Sequence, residues 1–190
     1  MTTTLAATRS VTGIPTGRLG VWWVLVSEIV IFGGLLGAYI MHRIGHPDWG
    51  DQAIHTNIWA GGFNTFVLLS SSLSAVLAHQ AAERGDGKSA ARLLLLTAAG
   101  GATFLVVKAF EWTAEITSGF TIGSNLFWSF YYTAAGLHAL HVLAGMVILL
   151  FVAATAAKNL ELHRVENIGI YWHFVDIVWI FLFPLLYIAK

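Results

Sequence analysis

Long apolar stretches dominate this 190-residue chain, and charged residues gather between them. Five windows reach the length of about 20 residues that an α-helix needs to cross the hydrocarbon core of a bilayer. They are residues 19–42, 57–81, 91–112, 126–155 and 168–188. Little sequence lies outside them, which leaves no room for a soluble domain. The pattern predicts an all-α membrane protein, with an N-terminal tail at residues 1–18 and a bundle of five transmembrane helices within residues 19–190.

Composition narrows the class further. The chain is 57% hydrophobic and 11% charged with a mean hydropathy of +0.72, whereas soluble domains carry about 25% charged residues. It has no cysteine, which excludes disulfides, thiolate metal sites and a cysteine nucleophile. The formal net charge is +0 without a polybasic tract, so nucleic acid is not an expected partner.

Basic residues predict the orientation of the bundle. Seven lie on one side, in the tail and in the second and fourth loops: Arg9, Arg18, Arg84, Lys88, Arg92, Lys158 and Arg164. The other side carries two, Arg43 and Lys190. Because positive residues favour the cytoplasmic face, we expect a cytoplasmic N-terminus and a periplasmic C-terminus.

The last span contains a histidine and a carboxylate, His173 and Asp176, three residues apart. This spacing places both on one helix face, beside Trp172 and Trp179. Ionisable side chains are costly in hydrocarbon, so they are functional candidates. Asp176 is expected to pair with His173 or with a histidine of the fourth span.

Other spans also contain ionisable residues. Glu28 lies well inside the first span, where either a protonatable site near a proton path or a structural hydrogen bond fits the sequence equally. Lys108 and Glu111 have the spacing of an ion pair within one helix, which we favour over a transport role. Glu115, one turn further on, is expected to be hydrated.

His138 and His141 on the fourth span raise the question of a metal or a haem. Metal coordination needs further ligands at the same depth, and His173 qualifies only if the last two helices are adjacent and in register. Bis-histidine haem ligation needs histidines that face each other across helices, and His79 lies near a helix end. We therefore favour histidines bonded to buried carboxylates or carbonyls. Beside His173 and Asp176, they predict a structural polar network joining the last two helices.

Taken together, these segments resemble subunit III of the haem–copper oxidases, in its short five-helix bacterial form and of the cytochrome c oxidase type. The resemblance covers nearly the whole chain in order, whereas longer members have seven helices and this chain begins at the equivalent of the third. The residues that carry it are Ser27-Glu28 with Phe32 and Gly34, Asn64-Thr65 with Leu68-Leu69, Ser71 and Ala78-His79, Glu111-Trp112, the run 136–142 with Gly145, and the run 171–183.

The resemblance implies an accessory, non-redox subunit with no catalytic centre and no metal of its own. It implies packing on subunit I beside subunit II, which hold the haem and copper, in a proton-pumping terminal oxidase of the bacterial inner membrane. Such an oxidase can be part of a larger respiratory supercomplex. Bound phospholipid and support of proton uptake and catalytic lifetime are also implied. The residues carried over are Glu28 as the buried carboxyl, and Glu111, His138, His141, His173 and Asp176 as structural groups.

Several alternatives stay open from the sequence. Within the family these are subunit III of a quinol oxidase and the homologue associated with nitric-oxide reductase. Outside it, a membrane cytochrome would use His79, His138, His141 and His173 as haem ligands. A small transporter built on Glu28 and Lys108 is disfavoured, because we find no inverted repeat or broken helix in the sequence.

Overall fold

The structure is a computed structural model that describes residues 16–46 and 48–189. The described part contains six α-helices and a terminal π-helix. They are α1 (Thr16–Gly45), α2 (Trp49–Ala53), α3 (Ile58–Glu83), α4 (Gly87–Thr117), α5 (Leu126–Ala156), α6 (His163–Phe183) and the π-helix Pro184–Ile188.

Five of these helices are long and apolar enough to cross a membrane, which confirms the predicted fold class. Each predicted span lies within or close to one of them, and most helices extend past the apolar window into polar residues. The predicted tail falls mostly outside the described residues, and α1 begins at Thr16. The last span changes to a π-helix at Pro184, since proline lacks the N–H that an α-helical turn would use there.

Helices α3, α4, α5 and α6 form a four-helix bundle, in which α3 and α5 each pack against both α4 and α6. Its centre is Trp172, which is fully buried and donates an indole hydrogen bond of 3.0 Å to the Ser71 hydroxyl. Two glycines make room for this ring. A Cβ on Gly101 would lie 2.7 Å from the Trp172 ring, and a Cβ on Gly145 would lie 3.0 Å from it. Close helix approach in the bundle therefore depends on these glycines.

Helix α1 lies outside this bundle against α6 and α5. Its buried residues Leu25, Phe32 and Tyr39 are seven positions apart, so they form one narrow stripe along the helix. Polar contacts hold its ends. Arg18 pairs with Glu166 at 2.6 Å at one end, and Arg43 donates a 2.6 Å hydrogen bond to the Ala189 carbonyl at the other. Most of the α1 surface therefore faces away from the chain.

Candidate functional site

Glu28 and His141 meet at the seam between α1 and α5. Glu28 Oε2 lies 3.0 Å from His141 Nε2, and the two side chains are 15% and 18% exposed. The ring N–H does not point directly at the oxygen, so the contact is an ion-pair contact without ideal hydrogen-bond geometry. Phe32 packs edge-on against the imidazole with ring centroids 5.3 Å apart. The sequence identified both residues but not that they would be partners.

One hydrogen bond of His141 shows which of its ring nitrogens carries a hydrogen. Nδ1 lies 2.8 Å from the Leu137 carbonyl oxygen, so Nδ1 must carry a hydrogen and donate it. Nε2 is then the ring nitrogen opposite Glu28, where an added proton would give either an imidazolium next to a carboxylate or a protonated carboxyl next to a neutral imidazole. Either form would be neutral overall, which lowers the cost of placing both groups in a membrane-spanning region.

A groove lies along the first turns of α1, and one of its lining residues, Tyr171, donates a 3.2 Å hydrogen bond to the His141 carbonyl. Its volume is about 670 Å³, within the range of about 300–1,000 Å³ typical of ligand pockets. Gly20 and Val24 of α1, Phe151 of α5 and Ile168 of α6 line it, and its polar lining residues include Arg164 and Asn167. The groove is thus largely apolar, with a cation and an amide among its lining residues.

Lys108 and Glu111 form the predicted ion pair, which is confirmed at 3.0 Å with both side chains 2% exposed. The expectation that Glu115 is hydrated is wrong. Glu115 is 5% exposed and accepts a 2.9 Å hydrogen bond from the Tyr131 hydroxyl. Sequence reasoning missed Tyr131 and Tyr187, which reach this cluster from α5 and from the π-helix. Their only sequence signal is a phenol within an apolar span.

The expected polar network across the last two helices does not form. His138 is fully buried and stacked on Trp179 with centroids 5.2 Å apart, and neither of its ring nitrogens has a hydrogen-bond partner among the described residues. His141 instead faces α1. Residues three apart differ by about 60° around a helix with 3.6 residues per turn, which is enough for them to face different neighbours in a bundle.

His173 and Asp176 are not bonded to each other, although both lie close to Ser72 of α3. The His173 imidazole lies 2.5 Å from the Ser72 hydroxyl of α3, a partner that the sequence did not suggest. Asp176 is 3% exposed, and its carboxyl oxygens have no hydrogen-bond partner within residues 16–46 and 48–189. The predicted pairing of Asp176 with His173 or with a histidine of the fourth span is therefore wrong. His173 contacts Ser72, His141 faces Glu28, and His138 is stacked on Trp179.

No group of three or more His, Cys, Asp or Glu side chains suited to a metal ion occurs in the part of the chain that the structure describes. The polar side chains form pairs and one mixed cluster instead.

Comparison with known proteins identifies the family in which this arrangement of helices occurs. The family model described as "Cytochrome c oxidase subunit III" matches residues 3–190. A "Cytochrome c oxidase subunit 3" of Thermostichus vulcanus is 35% identical over 175 residues, covering 90% of this chain and 86% of that protein. One of Corynebacterium diphtheriae is 37% identical over 173 residues, covering 87% and 84%. One of Synechocystis is 34% identical over 175 residues, covering 89% and 74%.

The match extends over all five spanning helices, including those that carry the Glu28–His141 pair and the Lys108–Glu111 pair. Similarity along the whole bundle is a stronger indication than similarity of one helix. The chain is a multi-pass membrane protein that belongs to the cytochrome c oxidase subunit III family.

Proposed function

We propose that this chain is the non-redox subunit III of a bacterial proton-pumping haem–copper oxidase of the cytochrome c type. It packs on subunit I in the inner membrane, with its N-terminus in the cytoplasm. Haem and copper belong to subunits I and II. The observation that carries the proposal is the outward-facing glycine surface of α1 in a chain that matches subunit III along its length.

The proposed contact with subunit I is the exposed face of α1 formed by Gly33, Gly34, Gly37 and Ala38. A Cβ added at any of the three glycines would have no described atom of the chain within 4 Å. Spacings of four residues between small side chains allow the backbones of two membrane helices to approach closely. Within the described chain no helix uses this face, so a neighbouring subunit is the partner that it fits.

The groove beside α1 supports phospholipid binding. Its apolar lining fits an acyl chain, and Arg164, one of its polar lining residues, can pair with a phosphate. Arg164 is also bonded to Glu161 at 2.9 Å, so part of its charge is already compensated. Arg164 and Glu161 lie on the side of the bundle that the basic residues predict to be cytoplasmic. The leaflet on that side is rich in anionic lipid.

Glu28 is the residue that we assign to the support of proton uptake. Its carboxyl lies 3.0 Å from His141 Nε2, and its partial exposure leaves it open to lipid or to a neighbouring subunit. A carboxyl–imidazole pair of this kind takes up and gives back a proton without large movement.

Purification of the tagged chain from its native membrane tests the proposal. We expect subunits I and II to copurify with it, together with haem, copper and cytochrome c oxidation activity. A complex that oxidises only quinol, or that reduces nitric oxide but not oxygen, would move the chain to one of the alternative branches of the family. A stoichiometric haem band in the isolated chain would instead support a membrane cytochrome and contradict the proposal.

A further inference from the structure

A buried cluster lies where α4 ends and α5 begins, far along the chain from the Glu28 pair. It joins three elements and is here called the Lys108 cluster. Its members are Lys108, Glu111 and Glu115 of α4, Tyr131 of α5 and Tyr187 of the π-helix. All five are at most 6% exposed.

The cluster contains one cation and two carboxyl groups. Lys108 donates to Glu111 at 3.0 Å and also bonds to the hydroxyls of Tyr131 and Tyr187. Its ammonium lies 4.9–5.8 Å from the centroids of four aromatic rings, so it is held on all sides. Glu115 has only phenol partners. If both carboxyls were ionised, the cluster would hold an uncompensated negative charge in a buried site, which is costly.

The groups on every neighbouring element leave this count unchanged. Tyr132 of α5 lies 3.4 Å from Glu115 Oε2. His55, next to α3, stacks on Phe120 rather than on the cluster, with centroids 4.6 Å apart. Arg43 of α1 binds the Ala189 carbonyl and the Tyr39 hydroxyl. His138 of α5 is close enough to Lys108 to interact with its charge, but its ring stacks on Trp179 and makes no hydrogen bond to the cluster. None of these groups supplies a second cation to Glu115.

Counting the hydrogen-bond donors around the two carboxyl groups indicates which oxygen a compensating proton would occupy. The Tyr131 hydroxyl accepts from Lys108, and its single proton can go to Glu115 Oε1 at 2.9 Å, to Tyr187 at 3.0 Å or to Glu111 Oε1 at 3.2 Å, of which the Glu115 contact is the shortest. The Tyr132 hydroxyl donates to the Phe120 carbonyl at 2.8 Å and has no second proton for Glu115 Oε2. A proton on Glu115 Oε2 satisfies every group, because that O–H can donate to the Tyr132 oxygen.

We propose that Glu115 carries this proton and that the Lys108 cluster is a proton-binding site, separate from the Glu28 pair. The proton leaves the Glu115 carboxyl as H⁺ to water and returns by the same route, and no other bond changes. Water exchanges this proton at the Tyr132 side of the cluster, where the half-buried Tyr132 hydroxyl lies next to Glu115 Oε2 and is oriented by its hydrogen bond to the Phe120 carbonyl. The cluster then alternates between neutral and singly negative, whether or not the oxidase assignment holds.

Infrared spectroscopy of the full chain in its native complex, in lipid nanodiscs, tests the proposal. A protonated carboxyl gives a C=O stretching band that a carboxylate lacks. We expect the wild-type complex to show one such band that is missing in Glu115→Gln and that fades reversibly as the pH is raised. Other carboxyls are common to both spectra and cancel in the difference. Identical spectra would show that Glu115 is ionised and would overturn the proposal.

Two further variants keep the test independent of how well Glu115→Gln folds. Glu111→Gln frees Lys108 for Glu115, so the band should disappear there as well. Tyr132→Phe removes the acceptor of the Glu115 O–H from a half-buried position, so the band should remain but shift in frequency. A band that survives in Glu111→Gln, or that is unmoved in Tyr132→Phe, would contradict the proposed position of the proton.

Discussion

Helix α1 and the α3–α6 bundle both contain adjacent glycines, but the two regions use them differently. In the bundle, Gly100 and Gly101 are in close contact with Ser71 and Trp172 of neighbouring helices. On α1, a Cβ added to Gly33 or Gly34 would have no described atom of the chain within 4 Å. The same sequence signal marks a completed contact in one region and, in our proposal, a contact with another subunit in the other.

The buried charges differ in a parallel way. The Glu28–His141 pair of α1 and α5 is a simple pair that is still partly exposed. Lys108 in the bundle is enclosed by aromatic rings and bonded to both the α5 and the π-helix phenols. Lys108 therefore has its charge partner and its hydrogen-bond partners inside the bundle, whereas α1 makes few contacts and has surface to share.

The largest expected effect is on folding and separates the two sets of glycines. Gly101→Leu forces a side chain against Trp172 and Met146, which we expect to cost about 3 kcal/mol or more of the free energy of unfolding. Gly34→Leu is the matched control and should leave that free energy nearly unchanged. Unfolding in mixed detergent micelles, followed by tryptophan fluorescence, measures both. Equal destabilisation by the two substitutions would remove the distinction between the regions.

The next effect concerns the groove beside α1. Gly20→Leu places a side chain where a Cβ meets no described atom, so it should fill the groove without disturbing the fold. We expect most of the phospholipid retained by the purified chain to be lost, as measured by native mass spectrometry. Gly33→Leu lies outside the groove and should retain it. Unchanged lipid content in Gly20→Leu would place any bound lipid elsewhere.

A smaller effect is expected at the Glu28–His141 pair. Glu28→Gln preserves shape and most hydrogen bonding, so the subunit should stay in the complex, while the number of turnovers before inactivation falls several-fold. Glu83→Gln is the control, because Glu83 also faces a histidine, His79, at 3.4 Å but lies at the exposed end of α3. Loss of the subunit from the Glu28→Gln complex would show that the charge is structural, and an unchanged lifetime would contradict the role in proton uptake.

The smallest expected effect is on the free energy of unfolding and concerns the cap at the start of α5 rather than core packing. The Asn125 side chain accepts a 3.0 Å hydrogen bond from the Trp128 backbone N–H at the start of α5. Asn125→Ala should lower the free energy of unfolding by about 1 kcal/mol relative to Asn125→Ser, because both variants lose the 2.9 Å hydrogen bond to Gln52 and only the serine keeps a capping oxygen. The same denaturation assay measures this, and a loss as large as that of Gly101→Leu would mean that the loop, not the core, limits stability.

The sequence was sufficient to predict the five spans and the Lys108–Glu111 pair, because apolar length and spacing within one helix are local properties. It was not sufficient for contacts between helices. Asp176 and His138 have the spacing of network residues but have no hydrogen-bond partner in the described chain. Glu115 lies near a helix end, where hydration is the usual expectation, yet phenols from later in the chain cover it. Rotation of each helix about its axis decides these contacts, and the chain order alone does not define it.

Copurification with a blocked α1 surface tests most directly the claim that α1 is the docking helix of a self-contained bundle. The double variant Gly33→Leu, Gly37→Leu should keep the wild-type unfolding free energy but lose subunit I from the purified complex. If the double variant still copurifies with a stoichiometric amount of subunit I, the docking surface lies elsewhere and the account of α1 is wrong.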